Sequence, residues 1–499
     1  MAEDGVALLM SLALLAALLA LAELAHRRFG WSSLLTRRLV HAATGLYVVF
    51  FPLLFEHAVS VYLLASIFVV VNGLALARGW LRGVHPADRV TAGTVAFPLA
   101  LLAILPFTWE PQRFFILRTS FLVLALADPL AAAVGERAGR SQVRVGRGTK
   151  NVAGSATFFL TAWLLTLLGI GVFGPSAALD ADSPGRWTLV ALLVAAIATG
   201  AEALGGRGWD NLFIVLAVAA VLLILQLQPE WLAVMALGCA IGVGFGVFAW
   251  RVEYLTLSGA IAGGLFAATL IGIGRWGWAV PGFTFFFLSS ALSKLAPQAK
   301  GSYAEASLRE SRRDAGQVYA NGGVAWLLVV AYALVPDSGI YWAFVGSLAA
   351  AAADTWATEV GPLFRQDARM ILTGRRVPAG TSGAVTAVGT AAGVAGAAVV
   401  WLAAWWTAPD PLRTTGPVVT AAAVVVGGVF GSLVDSLLGA TVEGVYRDPD
   451  SGGLVDARGL RETGAEPARG WRVVDNEVVN AACTLVGAAV AAGVLGLLT

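Results

Sequence analysis

The chain has 499 residues, 58% of them hydrophobic and only 13% charged, with a mean hydropathy of +0.78 and a formal net charge of +2. Soluble domains carry roughly a quarter charged residues, so a soluble globular enzyme is excluded and an all-α, polytopic integral membrane protein is expected. Cys239 and Cys483 both lie in apolar runs, which argues against a disulfide framework or a thiolate metal site.

Apolar runs of roughly 17–25 residues, the length that crosses about 30 Å of hydrocarbon as a helix, recur along the chain. In the first half the predicted spans are 5–25, 39–55, 58–77, 91–107, 114–134, 152–173, 187–203 and 211–227. In the second they are 231–250, 256–273, 278–293, 319–335, 339–355, 383–406, 416–438 and 477–498, with 278–293 short enough to be re-entrant. This gives about sixteen spans, arranged as two eight-helix domains, 1–228 and 229–499, joined near Gln228-Pro229-Glu230. The first run follows the acidic Met1-Ala2-Glu3-Asp4 without a convincing cleavage site, so it reads as a span and not as a signal peptide.

Lysine and arginine concentrate in cytoplasmic loops. Of the 33 basic residues, all but Arg113, Arg118, Arg186, Arg275 and Arg413 fall in alternate loops. Those loops include Arg82 and Arg89; Arg140, Arg144 and Arg147; Lys300 and Arg309; Arg365 and Arg369; and Arg458 and Arg461. The opposite side carries Asp180-Ala181-Asp182. Both termini are therefore predicted outside a cell inner or plasma membrane, with the bilayer as partner and no nucleic acid.

One polar pattern occurs twice. Ala127-Asp128 through Gly135 returns at Ala353-Asp354 through Gly361, and Gly148-Thr149, Glu202-Ala203-Leu204 and Asp210-Asn211 are followed in the same order by Gly380-Thr381, Asp435-Ser436-Leu437 and Asp475-Asn476. Matching acids, amides and glycines in an apolar chain point to duplicated chemistry. All these landmarks fall at predicted cytoplasmic helix ends, where soluble nucleotides are.

In the first half, Asp128 precedes Gly135, Gly139, a basic loop, Lys150 and Gly154-Ser155 at a helix start. Glycines and a helix N-terminus admit phosphate, Lys150 neutralises it, and Asp128 can hold Mg²⁺. The bland alternative is a helix-end cap beside an ordinary positive-inside loop. These residues, with Arg37-Arg38-Leu39-Val40-His41-Ala42-Ala43-Thr44-Gly45, Val71-Asn72-Gly73-Leu74, Glu202 and Asp210-Asn211, resemble the CTP-dependent polyprenol kinase group, which includes phytol and dolichol kinases. The resemblance covers roughly 30–227; the usual Gly before the Asp is Ala127, and the usual Ser or Thr after the lysine is Asn151. It implies phosphoryl transfer from CTP to an isoprenoid alcohol, with Asp128, Glu202 and Asp210 as base or metal ligands and Lys150 as the catalytic cation. His41 is then a phosphate or hydroxyl contact, or else an interfacial imidazole.

In the second half, Ser293-Lys294, Lys300-Gly301 and Arg312-Arg313-Asp314-Ala315-Gly316-Gln317, then Asn321, form a cationic entry to a span. With Asp354 and Glu359, Thr381-Ser382-Gly383, Gly431-Ser432 and Asp435-Ser436, and Asp475-Asn476 with Asn480, they resemble the family containing plant phytyl-phosphate kinase over roughly 235–498. Asp354, Glu359, Asp435 and Asp475 are candidate Mg²⁺ ligands, Asp354 and Asp435 also catalytic; Lys294, Lys300, Arg313, Gln317, Asn321, Thr381, Ser436, Asn476 and Asn480 are candidate substrate or nucleotide contacts. Glu443 either binds metal or faces solvent, with solvent favoured. The glycines and alanines of 383–400 and 427–439 read as close helix packing, and the Ser, Thr and Asn residues could serve interhelical hydrogen bonds. Carboxylates in or near a membrane are read as functional.

Together the halves imply a bifunctional kinase taking an isoprenoid alcohol to its monophosphate and then to its diphosphate. Competing readings are cytidylyl transfer, as in phosphatidate cytidylyltransferase, and a transporter.

Overall fold

The computed structural model describes residues 4–80, 91–139, 142–146, 148–174, 184–300, 312–364, 367–378, 381–447, 454–455 and 465–499. Arg82, Arg89, Arg140, Arg147, Asp180, Asp182, Gly301, Arg309, Arg365, Gly380, Arg458, Arg461 and the side chain of Lys300 lie outside the described residues. The chain divides into two compact units, Met1–Ala236 and Leu237–Thr499.

The first unit contains α1 (Gly5–Phe29), α2 (Ser33–Val49), α3 (Phe51–Leu54), α4 (Ala58–Arg78), α5 (Gly93–Thr108), α6 (Phe114–Ala138), a hairpin of β1 (Gln142–Val145) and β2 (Gly148–Asn151), α7 (Val152–Phe173), α8 (Pro184–Leu204) and α9 (Asp210–Leu227). Helix α10 (Leu232–Arg251) carries the boundary between units. The second unit continues with α11 (Leu257–Gly272), α12 (Arg275–Lys300), α13 (Ala315–Leu334), α14 (Ser338–Val360), then a small sheet of β3 (Ala368–Met370), β4 (Arg376–Val377) and β5 (Ala384–Val385). After it come α15 (Ala387–Thr407), α16 (Pro417–Thr441), a pair of two-residue strands, β6 (Tyr446–Arg447) and β7 (Leu454–Val455), and α17 (Asn476–Leu498).

Among the described residues, 11 helices are long and apolar enough to cross a membrane. The expected sixteen spans exceed that number in part because α2, α5 and α11 are short, with 17, 16 and 16 residues. Helices α12 and α14 are the other long helices among the described residues. The run expected to be short at 278–293 lies within one continuous 26-residue helix, α12. In hydrocarbon, continuous helix is the simplest way to satisfy every backbone group.

Each unit is built around one sequestered helix. In α6, the residues from Phe115 to Ala127 include eleven buried positions, and in α14 the whole run Tyr341–Ala353 is buried. Both helices are apolar on most sides over these runs, as burial requires, with Arg118, Thr119 and Ser120 the polar exceptions in α6. Around α6 pack α2, α7 and α9, with α8 bridging α7 and α9; around α14 pack α12, α13, α15, α16 and α17. The order of central helix, short sheet and three further helices therefore occurs twice. The two copies of the Ala-Asp motif sit toward the C-terminal ends of the two central helices.

Small residues permit the closest approaches. A Cβ on Gly154 of α7 would lie 2.9 Å from the Ala131 carbonyl of α6, and one on Gly431 of α16 would lie 2.7 Å from the Cys483 carbonyl of α17. At the start of the chain, the buried Asp4 carboxylate accepts from the Glu56 and His57 amides at 2.9 and 3.1 Å and from the Ser60 hydroxyl at 2.7 Å. The Glu56 amide is the main cause holding its carboxyl down at about 2. This network ties the start of α1 to the start of α4.

Candidate functional site

In the first unit, Asp128 on α6, Lys150 on β2, Glu202 near the end of α8 and Asp210 at the start of α9 form one electrostatic group. Lys150 pairs directly with Glu202, whose second oxygen, Oε2, is buried and accepts no hydrogen bond within the protein. Burial works against the Lys150 charge, but Glu202, with Asp210 and Asp128 beyond it, outweighs burial and holds the ammonium above its ordinary value. His41 Nε2 stands 4.0 Å from Asp128 Oδ2 and 3.0 Å from the Leu124 carbonyl. Arg37, four residues before His41 and so on the same helical face, acts electrostatically on Asp128 and Asp210. The site reading of the sequence omitted Arg37; its spacing from His41 was the available signal.

An apolar groove opens beside this group, bounded by α1, α2, α4 and α5. Its mouth holds Arg37, His41, Asn72, Thr94 and Asn211, and its depth is lined by Val48, Phe51, Leu64 and Leu101. Asn72 and Asn211 donate to the Thr94 and Gly93 carbonyls at 3.0 and 2.8 Å, so both expected contact residues clamp the start of α5 at the mouth. Gly135 and Gly154 face one another between α6 and α7, with Ser155 beside them half-buried. Asn151 caps α7 by accepting from the Ala153 and Gly154 amides. Gly139 follows α6 with φ +47°, a backbone conformation that favours glycine.

In the second unit, Asp354 on α14, Asp435 on α16 and Glu443 just beyond α16 act on one another. The Ser432 hydroxyl reaches Asp354 Oδ1 at 3.5 Å, the Ser382 hydroxyl donates to Glu443, and Asp435 Oδ2 is buried without a hydrogen-bond partner. Glu443 was expected to face solvent, but it is only 4% exposed. The loop before β5 folds over the end of α16, with Gly383 at φ +82° against Ala440, and brings Ser382 onto it. Burial raises the Glu443 carboxyl above its ordinary range, opposed by Ser382 and Arg469.

The four acids expected to hold metal here are not one cluster. Asp354 and Asp435 are together, Glu359 acts on Arg313, and Asp475 caps α17 by accepting from the Val478 amide at 3.0 Å while also acting on Glu443. Among the described residues no group of three or more His, Cys, Asp or Glu forms a metal cage in either unit. Mg²⁺ beside phosphate needs only one or two carboxylates, and the buried free oxygens of Glu202 and Asp435 suit that chemistry.

A second apolar groove lies among α10, α11, α12 and α13; Arg313, Gln317 and Asn321 line it beside Phe245, Phe283 and Phe286. The backbone of Arg313 is stitched to Tyr254 and Thr256, and Gln317 closes a capping box with Asp314. Burial lowers the Arg313 guanidinium and Glu359 opposes that. Lys294 instead donates to the Val252 carbonyl at 2.6 Å and lies over the Tyr254 ring. Thr381 is occupied with the Pro378 carbonyl at 2.7 Å, Ser436 and Asn480 are half-buried, and Asn476 is exposed.

Residues 240–488 match the family described as integral membrane protein DUF92. Three relatives are similar to this chain. An uncharacterized membrane protein of Methanocaldococcus jannaschii is 33% identical over 163 residues, 32% of this chain and 63% of that protein. One of a Synechocystis strain is 26% identical over 213 residues, 42% of this chain and 70% of its own. Protein PGR of Arabidopsis thaliana is 30% identical over 214 residues, covering 39% of this chain and 74% of PGR. The chain thus spans somewhat under two thirds of the archaeal relative. No solved structure matches. The family match and the similarity to PGR assign the chain, through its second unit, to the DUF92 family of integral membrane proteins.

Proposed function

We propose that the chain is a bifunctional membrane kinase that phosphorylates an isoprenoid alcohol in its first unit and the resulting monophosphate in its second, with CTP as donor. The observation that carries this reading is the different mouth of each apolar groove. A neutral alcohol must lose a proton as it attacks, and the first groove opens at His41 beside Asp128. A lipid monophosphate arrives as an anion, and the second groove opens at Arg313 with two amides.

In the first unit the alcohol oxygen attacks the γ-phosphorus of CTP and forms the new P–O bond. The bond from that phosphorus to the β–γ bridging oxygen breaks, CDP leaves, and Asp128 takes the alcohol proton. Lys150 and Arg37 neutralise charge on the transferred group. Mg²⁺, held by Glu202 or Asp210, would draw charge from the β- and γ-phosphate oxygens. In the second unit an oxygen of the monophosphate attacks the γ-phosphorus of a second CTP, the bond from that phosphorus to the β–γ bridging oxygen breaks and CDP leaves, with no base needed; Arg313 holds the acceptor, while Asp354 and Asp435 are the carboxylates for the nucleotide and its metal. Both units in one chain raise the local concentration of the intermediate.

The test is incubation of the purified protein in lipid with Mg²⁺, CTP and phytol, resolving mono- and diphosphate products. Asp128→Asn is expected to block use of the alcohol, and Asp354→Asn to let monophosphate accumulate. Loss of both steps in both variants overturns the two-site reading. Release of pyrophosphate with a CDP-lipid product indicates cytidylyl transfer instead.

A further inference from the structure

Resting on the reading of the first groove as the alcohol site, we propose that its closed end, floored by Phe51, sets the length of the isoprenoid chain accepted there. The groove runs along one face of α2: Arg37, His41, Thr44 and Val48 line it at three- and four-residue steps, and Phe51 follows. Neighbouring helices agree in direction, since α4 passes from Leu64 in the depth to Asn72 at the mouth and α5 from Thr94 at the mouth to Leu101 in the depth. At 1.5 Å per helical residue, His41 and the floor are separated by about 15 Å.

Exposure changes along this path. At the middle, Thr44 and Phe68 are half-buried, whereas Val48, Phe51, Leu64 and Ala65 at the far end are 2–3% exposed. Phe51 cannot swing aside freely, because the Tyr47 and Phe55 rings both meet it edge-on with centroids 5.3 Å away. Every side chain at this end is apolar, so it accepts hydrocarbon and discriminates by length alone. A chain that is too short leaves contacts unmade. One that is too long meets the floor and pushes its hydroxyl away from Asp128. The geometry therefore favours short prenyl alcohols over long polyprenols.

Two substitutions test this from opposite sides, in the full chain reconstituted in lipid. Phe51→Ala removes the floor, and Ala65→Phe raises it. Geraniol, farnesol, geranylgeraniol, phytol and a long polyprenol are compared by kcat/KM with CTP, and by the thermal stabilisation each alcohol gives without nucleotide. The wild type is expected to prefer the short alcohols over the long polyprenol by about tenfold or more. Phe51→Ala is expected to narrow that ratio, and Ala65→Phe to move the optimum to a shorter alcohol. A misfolded variant loses all chain lengths alike, so ratios carry the result. Unchanged ratios in both variants, in turnover and in stabilisation, overturn the floor assignment. Length-dependent stabilisation without phosphorylated product keeps the floor and overturns the kinase reading instead.

Discussion

The two units place the same Ala-Asp motif on the same kind of helix, yet they supply positive charge differently. In the first, Lys150 enters from the strand after α6 and pairs with Glu202 inside the carboxylate group. In the second, the sheet after α14 brings the Ser382 hydroxyl to Glu443, Arg469 acts on the same carboxylate, and Arg313 lines its own groove with Glu359 as a charged neighbour. A repeated scaffold thus fixes where carboxylates stand, while the connections between helices decide what meets them. Site chemistry can diverge through those short connections without disturbing the packed helices.

The largest effect that would break this comparison is expected from Lys150→Met. It should slow monophosphate formation about 100-fold or more and leave conversion of supplied monophosphate intact. It also strands the buried Glu202 carboxylate, at a cost of about 3 kcal/mol of stability, which a melting curve in detergent reads separately. Equal loss of both steps would show that the units are not chemically independent. Arg313→Gln should act in the other direction, raising KM for the monophosphate about tenfold while alcohol use is unchanged; an effect confined to the alcohol step would reassign the second groove.

Glu443→Gln is expected to have the smallest effect, and it is read in pH dependence. Burial places the folded Glu443 carboxyl above its ordinary value, so its proton favours the folded state. That contribution is fully present below about pH 4, the ordinary glutamate range, and is lost as pH rises through the raised folded value. The variant, which cannot ionise, should melt like the wild type in acid and above it at neutral pH. An opposite slope would mean that Arg469 dominates over burial.

Much of this was legible along the chain. Asp128, Lys150, Glu202 and Asp210 were each marked by a helix end in an apolar sequence, and the fold brings them together. The second set was less legible. Asp475 follows a long loop and is engaged as a helix cap, Glu359 is drawn to Arg313, and Glu443 is buried by a loop that begins sixty residues earlier, near Ser382. Gly135 and Gly154, read as phosphate glycines, meet each other across α6 and α7. Local spacing cannot distinguish a glycine that admits phosphate from one that admits a neighbouring helix.

By itself the sequence determined the membrane class, the twofold polar pattern and the helix ends at which its acids lie, because hydrophobic run length and charge placement are local, one-dimensional quantities. Only the tertiary structure decided which acids share a cluster, which amides are spent as clamps, and that each unit holds an apolar groove with its own polar mouth. Those outcomes depend on how each helix is rotated about its axis against its neighbours. In helices apolar on nearly every side, small-residue contacts such as Gly154 on Ala131 and Gly431 on Cys483 set that rotation.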